Sequence, residues 1–455
     1  MHFTGVVKRY FRHYFRKSNG SRKIIRLSSE KRKSLLFLLK WILIAVVSGA
    51  VGSFVVHSFA FLHQLISNSL TVLSVPLPIW SIGGAVLVGS IIYKIQPGAA
   101  GEGIPSYLKG LRYHRGKLNF SETFFKYWAA LGTLATFGNG GIVGPLGRVS
   151  AGIMSAIGKK FHRIGFSEYD IRTASICGLA ATVGSIFHSS VGGGIFAVEI
   201  IQKAEMRYRD LFPAVMASAT AVYISKAFGW TTFYPINAVN RFMDLSILGW
   251  LLLTAVATGV LGSGFNSLYR FIVKTIKREN IRRILLKVVI GTVIAAWIGW
   301  FVNPHILGTS KGLFDGMFTR DVSLLYGRIP ETVPLFWVLL LLIAIKAFGN
   351  TVTVGSGMSA GFTGPAVIIG MLLGTAFAAL VGVEMGTANY FAFIAAGFSG
   401  MLASSMNIPL AAAVITIESF GLQYGFPAGV AAVIGFQVNR HNTIYDLAIN
   451  RKSNL

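Results

Sequence analysis

The chain has 455 residues, of which 53% are hydrophobic and 13% are charged, and its formal net charge is +26. A soluble protein carries about 25% charged residues, so this composition excludes an ordinary soluble domain. The single cysteine excludes an intrachain disulfide, and the nine histidines are scattered along the chain. We therefore expect neither a metal site nor an enzyme active centre.

The first predicted element, residues 1–34, is a basic segment with eleven Lys or Arg residues and one acid, Glu30. A nucleic-acid-binding arm would have such a composition. A cytoplasmic tail that follows the positive-inside rule and touches anionic lipid is the better interpretation in a membrane protein. We therefore predict a cytoplasmic N-terminal segment with the lipid bilayer as its partner and no nucleic acid.

Apolar segments follow from about residue 35 and continue almost to the C-terminus. Between Ala347 and Asn439 only Glu384 and Glu418 are charged. A helix that spans a bilayer needs about 20 apolar residues, so this region alone has room for several spans. The sequence predicts an all-α polytopic protein that is integral to the membrane.

The charges of the loops predict their side of the membrane. Basic loops are expected in the cytoplasm, and they lie at residues 109–126, 159–163, 203–209 and 274–287. Segments with few or balanced charges are expected outside, at residues 66–79, 229–245 and 303–333. Both termini would then be cytoplasmic. The short C-terminal end favours a prokaryotic plasma membrane.

Two pairs of segments repeat at nearly one offset. The segment that begins at Cys177 matches the one that begins at Ala396, and Gly144-Pro145 matches Gly364-Pro365. We predict two transmembrane halves, 35–245 and 246–439, followed by a short cytoplasmic end, 440–455. The first half begins inside and ends outside, so the second half is inverted. Inverted repeats place a substrate site near the bilayer midplane, between the ends of broken helices.

Glycine-rich stretches inside apolar segments predict helices that begin in the middle of the membrane. They are "FGNGGIVGPLG" (137–147), "VGSGMSAGFTGP" (354–365) and "GEGIP" (101–105), each with a proline suited to a first helical position. A helix start exposes about four unpaired N–H groups and about half a positive charge, and an anion is their natural partner. Three converging starts predict an anion site without a basic side chain, whereas tight packing of small residues is the alternative.

These motifs resemble those of the CLC family of chloride channels and chloride/proton antiporters. "GEGIP", "GIVGP" (141–145) and "GFTGP" (361–365) are similar to the three family motifs, and Tyr445 is similar to a late family tyrosine. The resemblance implies a CLC-type inverted repeat with re-entrant helices and a homodimer with one pathway per subunit. It also implies chloride, or a similar small anion, as the bound ligand, with no other cofactor. The implied anion-binding residues are Glu102, Gly103, Ile104, Ile142, Val143, Gly144, Phe362, Thr363, Gly364 and Tyr445.

Two glutamates that serve the family's antiporters are replaced in this chain. The position of the gating glutamate is Val143, and the position of the inner proton-relay glutamate is Ile200. A proton path across hydrocarbon needs titratable groups or water, so the replacement by aliphatic residues predicts a lost relay. We expect a chloride channel with passive, proton-uncoupled flow. The alternative is an antiporter for chloride, or for another anion such as fluoride, that uses Glu102 for coupling.

Glu102 stands where the family has a serine that helps to hold the central anion. A carboxylate and a chloride ion in one site of low dielectric repel each other strongly. Three interpretations are open. The ionised side chain occupies the site as a substitute gate, or the protonated side chain donates its O–H to the anion, or the side chain turns away and caps its own helix.

Three other charged residues occur in apolar segments. Arg148 follows Gly144-Pro145 within one turn, and an intramembrane charge is a functional candidate by default. Its possible partners are Glu102, Glu199 and Glu418, and a place in the outer vestibule is a further alternative. Because Glu199 and Glu418 occupy equivalent repeat positions, we interpret them as structural acids at helix ends.

Overall fold

The computed structural model describes residues 29–73, 75–162, 166–202, 208–276 and 281–446. Most of the two predicted cytoplasmic ends, 1–34 and 440–455, lies outside the described residues, and so do parts of three predicted basic loops. The chain divides into two units, Met1–Trp41 and Ile42–Leu455. The described part of the first unit is the beginning of a helix, in which the Lys40 ammonium lies 5.1 Å from the centre of the Trp41 ring.

Helices form nearly all of the regular structure in the described residues. Those up to residue 227 are α1 (Ser29–Val72), α2 (Leu77–Ser90), α3 (Ile104–Tyr113), α4 (Phe120–Ala135), α5 (Val143–His162), α6 (Glu168–Phe187), α7 (Gly192–Gln202) and α8 (Tyr208–Ala227). Those that follow are α9 (Leu248–Ile276), α10 (Ile281–Val302), α11 (Lys311–Thr319), α12 (Val322–Tyr326), α13 (Leu335–Gly355), α14 (Thr363–Val381), α15 (Ala388–Met406), α16 (Pro409–Phe420) and α17 (Gly425–Val438). Short 3₁₀ and π turns extend several of them.

The helices differ widely in length, as a fold with broken helices requires. Five helical segments of the described chain are long and apolar enough to cross a membrane: Leu38–Val72, Leu77–Ile95, Leu245–Ile276, Leu335–Gly355 and Thr363–Val381. Shorter apolar helices accompany them, at Gly192–Ile201, Gly291–Val302, Pro409–Phe420 and Leu422–Val438. The predicted all-α polytopic fold class is confirmed.

The three predicted helix starts are also observed. α3 begins at Ile104-Pro105, α5 at Val143-Gly144-Pro145 and α14 at Thr363-Gly364-Pro365. Each follows an irregular segment that separates it from the preceding helix. The chain therefore has no continuous helix through any of the three motifs, and the released backbone groups are available for other partners.

The loops before α5 and α14 cross each other at their glycines. Gly141 N–H donates to the Gly361 carbonyl at 2.9 Å, and Gly361 N–H donates to the Gly141 carbonyl at 2.7 Å. A Cβ atom on Gly141 would lie 2.9 Å from the nitrogen of Gly364, so only glycine permits this approach. These two glycines are 220 positions apart, the offset of the Gly-Pro pairs. The crossing fixes the starts of α5 and α14 next to each other.

Glycines also bring the following helices together. A Cβ atom on Gly370 of α14 would lie 2.2 Å from the carbonyl oxygen of Gly397 on α15. At the equivalent place, a Cβ atom on Gly178 of α6 would lie 2.6 Å from the carbonyl oxygen of Ser150 on α5. Close backbone contact through small residues is typical of membrane helices. At these positions glycine therefore allows close packing of helices, whereas the glycines of the three motifs precede helix starts.

The acids Glu199 and Glu418 cap each other's helices. Glu199, on α7, accepts from the amides of Leu410 (3.1 Å) and Ala411 (2.8 Å) at the start of α16. Glu418, on α16, accepts from the amides of Val191 (3.1 Å) and Gly192 (2.9 Å) at the start of α7. Each carboxylate satisfies backbone donors that have no intrahelical partner. This geometry agrees with their interpretation as structural acids at helix ends.

Candidate anion-binding site

The starts of α3 and α5 touch through glycines. Gly103, which precedes α3, has φ = +109°, and a Cβ atom there would lie 2.7 Å from the carbonyl oxygen of Gly144. A Cβ atom on Gly144 would in turn lie 2.1 Å from Oε1 of Glu102. Because the loop of α5 also crosses the loop of α14, the starts of all three helices lie in one region of the protein.

The side chain of Glu102 is buried in this region and is 3% exposed. Its Oε2 accepts a hydrogen bond from the Ile104 amide at 2.7 Å, and its Oε1 accepts from the Tyr445 hydroxyl at 3.5 Å. The backbone amide of Phe362, at the start of α14, also faces the carboxylate. The carboxylate is thus surrounded by donors from two helix starts and a phenol. Amide and hydroxyl donors of this kind are those that bind anions.

The predicted group Phe362, Thr363 and Tyr445 is brought together around this carboxylate. Tyr445 is 2% exposed, and the hydroxyl of Thr363 is within hydrogen-bonding reach of its phenol oxygen. The ring of Phe362 packs against Tyr269 at 4.5 Å between centroids, so its side chain belongs to the wall. Tyr269 was not predicted from the sequence, because nothing in the helical pattern of α9 distinguishes it.

The remaining predicted residues lie in the apolar core or at backbone contacts. Ile142 and Val143 are buried at the start of α5, and Gly364 has so little space that a Cβ atom would lie 2.7 Å from the Tyr234 hydroxyl. Ile200 is buried in the core on α7, one residue after Glu199. The two expected proton-relay positions are therefore aliphatic side chains in apolar surroundings.

Lys126 is a buried cation close to Glu102 that the sequence reasoning missed. It was assigned to the basic loop 109–126, but it lies within α4 and is 1% exposed. Its ammonium donates to the carbonyl oxygens of Ala99 (3.0 Å), Ala100 (3.1 Å) and Gly101, the turn that leads into Glu102. The assignment was wrong because a buried lysine is stable where several backbone carbonyls surround it. Its charge also acts on the Glu102 carboxylate.

Lys346 occupies the equivalent position in the second half, 220 residues later. It is fully buried on α13 and donates to Oδ1 of Asn139 (3.1 Å) and to the carbonyls of Ile306 (3.1 Å) and Gly308 (3.0 Å). A search for charged residues at the repeat offset would have found this pair. Each lysine holds the turn that precedes a helix start.

Arg148 pairs with a residue outside the predicted set. Its Nη2 lies 3.0 Å from Oε2 of Glu122, and its other nitrogens donate to Thr123 (3.0 Å) and Ser106 (3.2 Å). The proposed partners Glu102, Glu199 and Glu418 were wrong. Glu122 was overlooked because it lies in the predicted basic loop, whereas it belongs to the first turn of α4. The buried guanidinium joins α3, α4 and α5.

These features define a class of protein: an all-α membrane protein whose broken helices begin around one buried site rich in backbone donors. The sequence profile described as "Voltage gated chloride channel" matches residues 83–440. The chain belongs to this family, which confirms the resemblance to the CLC proteins.

Individual relatives and solved structures match most of the chain. A Methanocaldococcus jannaschii protein, named Uncharacterized protein MJ0305, is 27% identical over 416 residues, which are 90% of this chain and 95% of the relative. The H(+)/Cl(-) exchange transporter ClcA of Vibrio cholerae is 25% identical over 421 residues, 86% of this chain and 83% of the relative. The crystal structure of a CLC-type fluoride/proton antiporter matches 92% of this chain and 99% of its own, with a TM-score of 0.75 and 20% identity. That last likeness shows the fold.

Proposed function

We propose that this protein is an anion channel with passive, proton-uncoupled flow, chloride as its default ion and Glu102 as its gate. The observation that carries the proposal is the position of the Glu102 carboxylate. It accepts hydrogen bonds from the Ile104 amide and the Tyr445 hydroxyl. A chloride ion held there would need the same donors, so the anion and the carboxylate exclude each other.

The contacts of Glu102 favour the gating interpretation over the other two. The side chain does cap its own helix, since Oε2 accepts from Ile104, but it does not turn away from Tyr445. The same position of the carboxylate therefore caps α3 and blocks the proposed anion site. An anion enters when the carboxylate is displaced or protonated, and the protonated O–H donor interpretation then describes one form of the open state.

The proposed site binds the anion mainly through the backbone of the three helix starts. Gly103 and Ile104 contribute at α3, Ile142, Val143 and Gly144 at α5, and Phe362, Thr363 and Gly364 at α14, with Tyr445 as a hydroxyl donor. Donors without a full positive charge bind an anion and still release it, which suits conduction.

The absence of coupling is proposed from the two replaced positions. Val143 and Ile200 are buried among apolar side chains and cannot carry a proton. The second candidate function is an antiporter in which Glu102 itself carries the proton. The presence of a titratable carboxylate among the proposed anion donors favours this candidate. In addition, some relatives and solved structures are named as exchangers or antiporters.

A reversal-potential measurement on purified protein in planar bilayers, with opposed chloride and pH gradients, tests the proposal. Passive flow gives a reversal potential that follows the chloride gradient alone. A reversal potential that moves when only the pH gradient is changed would establish the antiporter. The same recordings with fluoride, nitrate and bicarbonate in place of chloride identify the preferred anion.

The proposed assembly and orientation follow the family and the repeat. We propose a homodimer with one pathway in each subunit, both termini in the cytoplasm, and residence in a prokaryotic plasma membrane. The halves 35–245 and 246–439 are supported by three matched pairs: the crossing glycines, the two buried lysines and the reciprocal carboxylate caps.

A further inference from the structure

A cavity of about 450 Å³ with both polar and apolar lining residues lies outside the proposed anion site. Three histidines and one lysine line it: His57 and His63 on α1, His305 before α11, and Lys311 at the start of α11. The other lining groups are neutral, among them Thr309 and several amide and hydroxyl side chains. The cavity shares no lining residue with the group around Glu102, and its ionisable lining groups are all cationic or neutral.

The wall of this cavity is the second-half equivalent of the Glu102 turn. Lys126 binds the carbonyl of Gly101 before α3, and its equivalent Lys346 binds the carbonyl of Gly308 before α11. The two turns share left-handed backbone at matching places, with φ of +70° at Gly101 and +59° at Gly308. In this alignment Thr309 stands where the first half has Glu102. The α11 turn has no carboxylate of its own at that position.

The start of α11 consequently lacks the cap that the start of α3 has. Ser310, the residue before α11, makes no side-chain cap, because its hydroxyl donates to the Ile306 carbonyl instead. On α3 the equivalent backbone donor is taken by Glu102. Nine-residue α11 thus presents donors at its start, beside a cavity lined by Thr309 and Lys311.

The side chains around the cavity add further donor capacity. An imidazole has an N–H donor in both its neutral and its charged form, and a lysine offers three donors. Lys311 is close enough for its charge to act on His63. Among the residues that the structure describes, no group of three His, Cys, Asp or Glu residues is arranged to hold a metal ion.

We propose that this cavity is a second anion site, which binds a small inorganic anion independently of the transport pathway. Lys311 supplies the positive charge, and Thr309 and His305 supply hydrogen-bond donors. The cavity opens among the loops that were predicted to be external, so the anion comes from that side. The binding step involves no covalent change.

Bromide identifies the site directly, because its anomalous scattering marks its position in a crystal. We expect a bromide peak beside Lys311 and Thr309 in crystals of the full chain, and no such peak in the Lys311→Met variant. Lys311 is exposed at a helix start, so this variant retains the fold. Arg241→Met is the matched control, since Arg241 is an exposed cation of the loop 229–245 and does not line the cavity.

A solution measurement separates true binding from binding at crystal concentration only. The thermal unfolding midpoint is followed while bromide replaces gluconate at constant ionic strength, because a ligand of the folded state raises the midpoint. We expect Lys311→Met to weaken the bromide response about tenfold in apparent Kd, and Arg241→Met to keep the wild-type response. A cavity without bromide, or a peak and midpoint response unaffected by Lys311→Met, would overturn the proposal.

Discussion

Replacing Glu102 by glutamine removes the charge of the proposed gate while it keeps the size of the side chain. The glutamine carbonyl can still accept a hydrogen bond from the Ile104 amide, which the carboxylate accepts at 2.7 Å. The variant therefore retains the cap of α3 and loses the anionic competitor for the site. Glu102→Ser goes further, because serine is too short to occupy the place of the carboxylate.

The size of the effect follows from the difference between charged and neutral hydrogen bonds. A hydrogen bond to a charged group contributes about 1.5–3 kcal/mol and a neutral one about 0.5–1.5 kcal/mol, so the closed state loses about 1–1.5 kcal/mol. The Tyr445 contact, at 3.5 Å, adds little to this difference. Since 1.4 kcal/mol is about a factor of ten, we expect chloride flux to rise roughly tenfold in Glu102→Gln.

The assay is chloride efflux from vesicles that contain purified protein, between about pH 4.5 and pH 7.5, a range that extends from just above the ordinary glutamate pKa of about 4.3 to neutral pH. Wild-type flux should rise as the pH falls, because protonation removes the charge of the gate. Both Glu102 variants should be fast at every pH. Glu384→Gln is the matched control, because Glu384 is an exposed acid outside the site and should retain the wild-type profile.

Two results would refute this reasoning. Wild-type rate and pH response in both Glu102 variants would mean that the carboxylate only caps its helix. Slow flux in both variants, with an unchanged thermal unfolding midpoint, would mean that the carboxylate assists conduction instead of blocking it. Loss of the folded protein would appear in size-exclusion chromatography and is thereby distinguished from either result.

Three further predictions concern the buried lysines, the tyrosine and a surface acid. Lys126→Met and Lys346→Met should each lower the free energy of unfolding by about 3 kcal/mol or more, because buried carbonyls lose their donors. Only Lys126→Met should move the pH of half-maximal flux upwards, because only Lys126 has a charge that acts on Glu102. Equal effects of the two variants on flux would contradict this role of the Lys126 charge. Tyr445→Phe should change stability by less than about 1 kcal/mol and weaken chloride binding severalfold by calorimetry, and unchanged affinity would remove the hydroxyl from the site. Hydrogen bonds from Lys117 and a neighbouring arginine lower the pKa of the partly exposed Glu168 to about 2, so its contribution to stability is present above its ordinary pKa near 4.5 and is lost as the pH falls towards 2. A Glu168→Gln variant should therefore show the wild-type flux profile down to pH 4.5, and an altered profile would assign part of the pH response to this surface acid.

The sequence was most informative where a feature is local. Gly-Pro pairs within apolar segments predicted the starts of α5 and α14, because glycine and proline act on the backbone at their own positions. The family motifs also identified Phe362, Thr363 and Tyr445, which the structure brings together with Glu102.

Partners distant in sequence were not predicted. Arg148 was given three possible acids, yet it pairs with Glu122, since the pairing depends on how α4 packs against α5. Lys126 was placed in a loop because its charge was read as exposed, whereas three carbonyls surround its ammonium. A local pattern contains no information about such packing. The offset between the two repeats does contain information about packing, because it relates Lys126 to Lys346.

The two halves are alike in most of these contacts and differ at one position that matters. Buried lysines hold the turns before both α3 and α11, but the first turn carries Glu102 and the second carries Thr309. A carboxylate at a helix start occupies the donors that an anion would use, whereas threonine leaves them available. The same architecture can therefore provide a gated site in one half and an open pocket in the other. Exchanging the two side chains, Glu102→Thr with Thr309→Glu, should then open the pathway and abolish bromide binding in the cavity. A double variant that changed only one of these properties would show that the two turns are not equivalent.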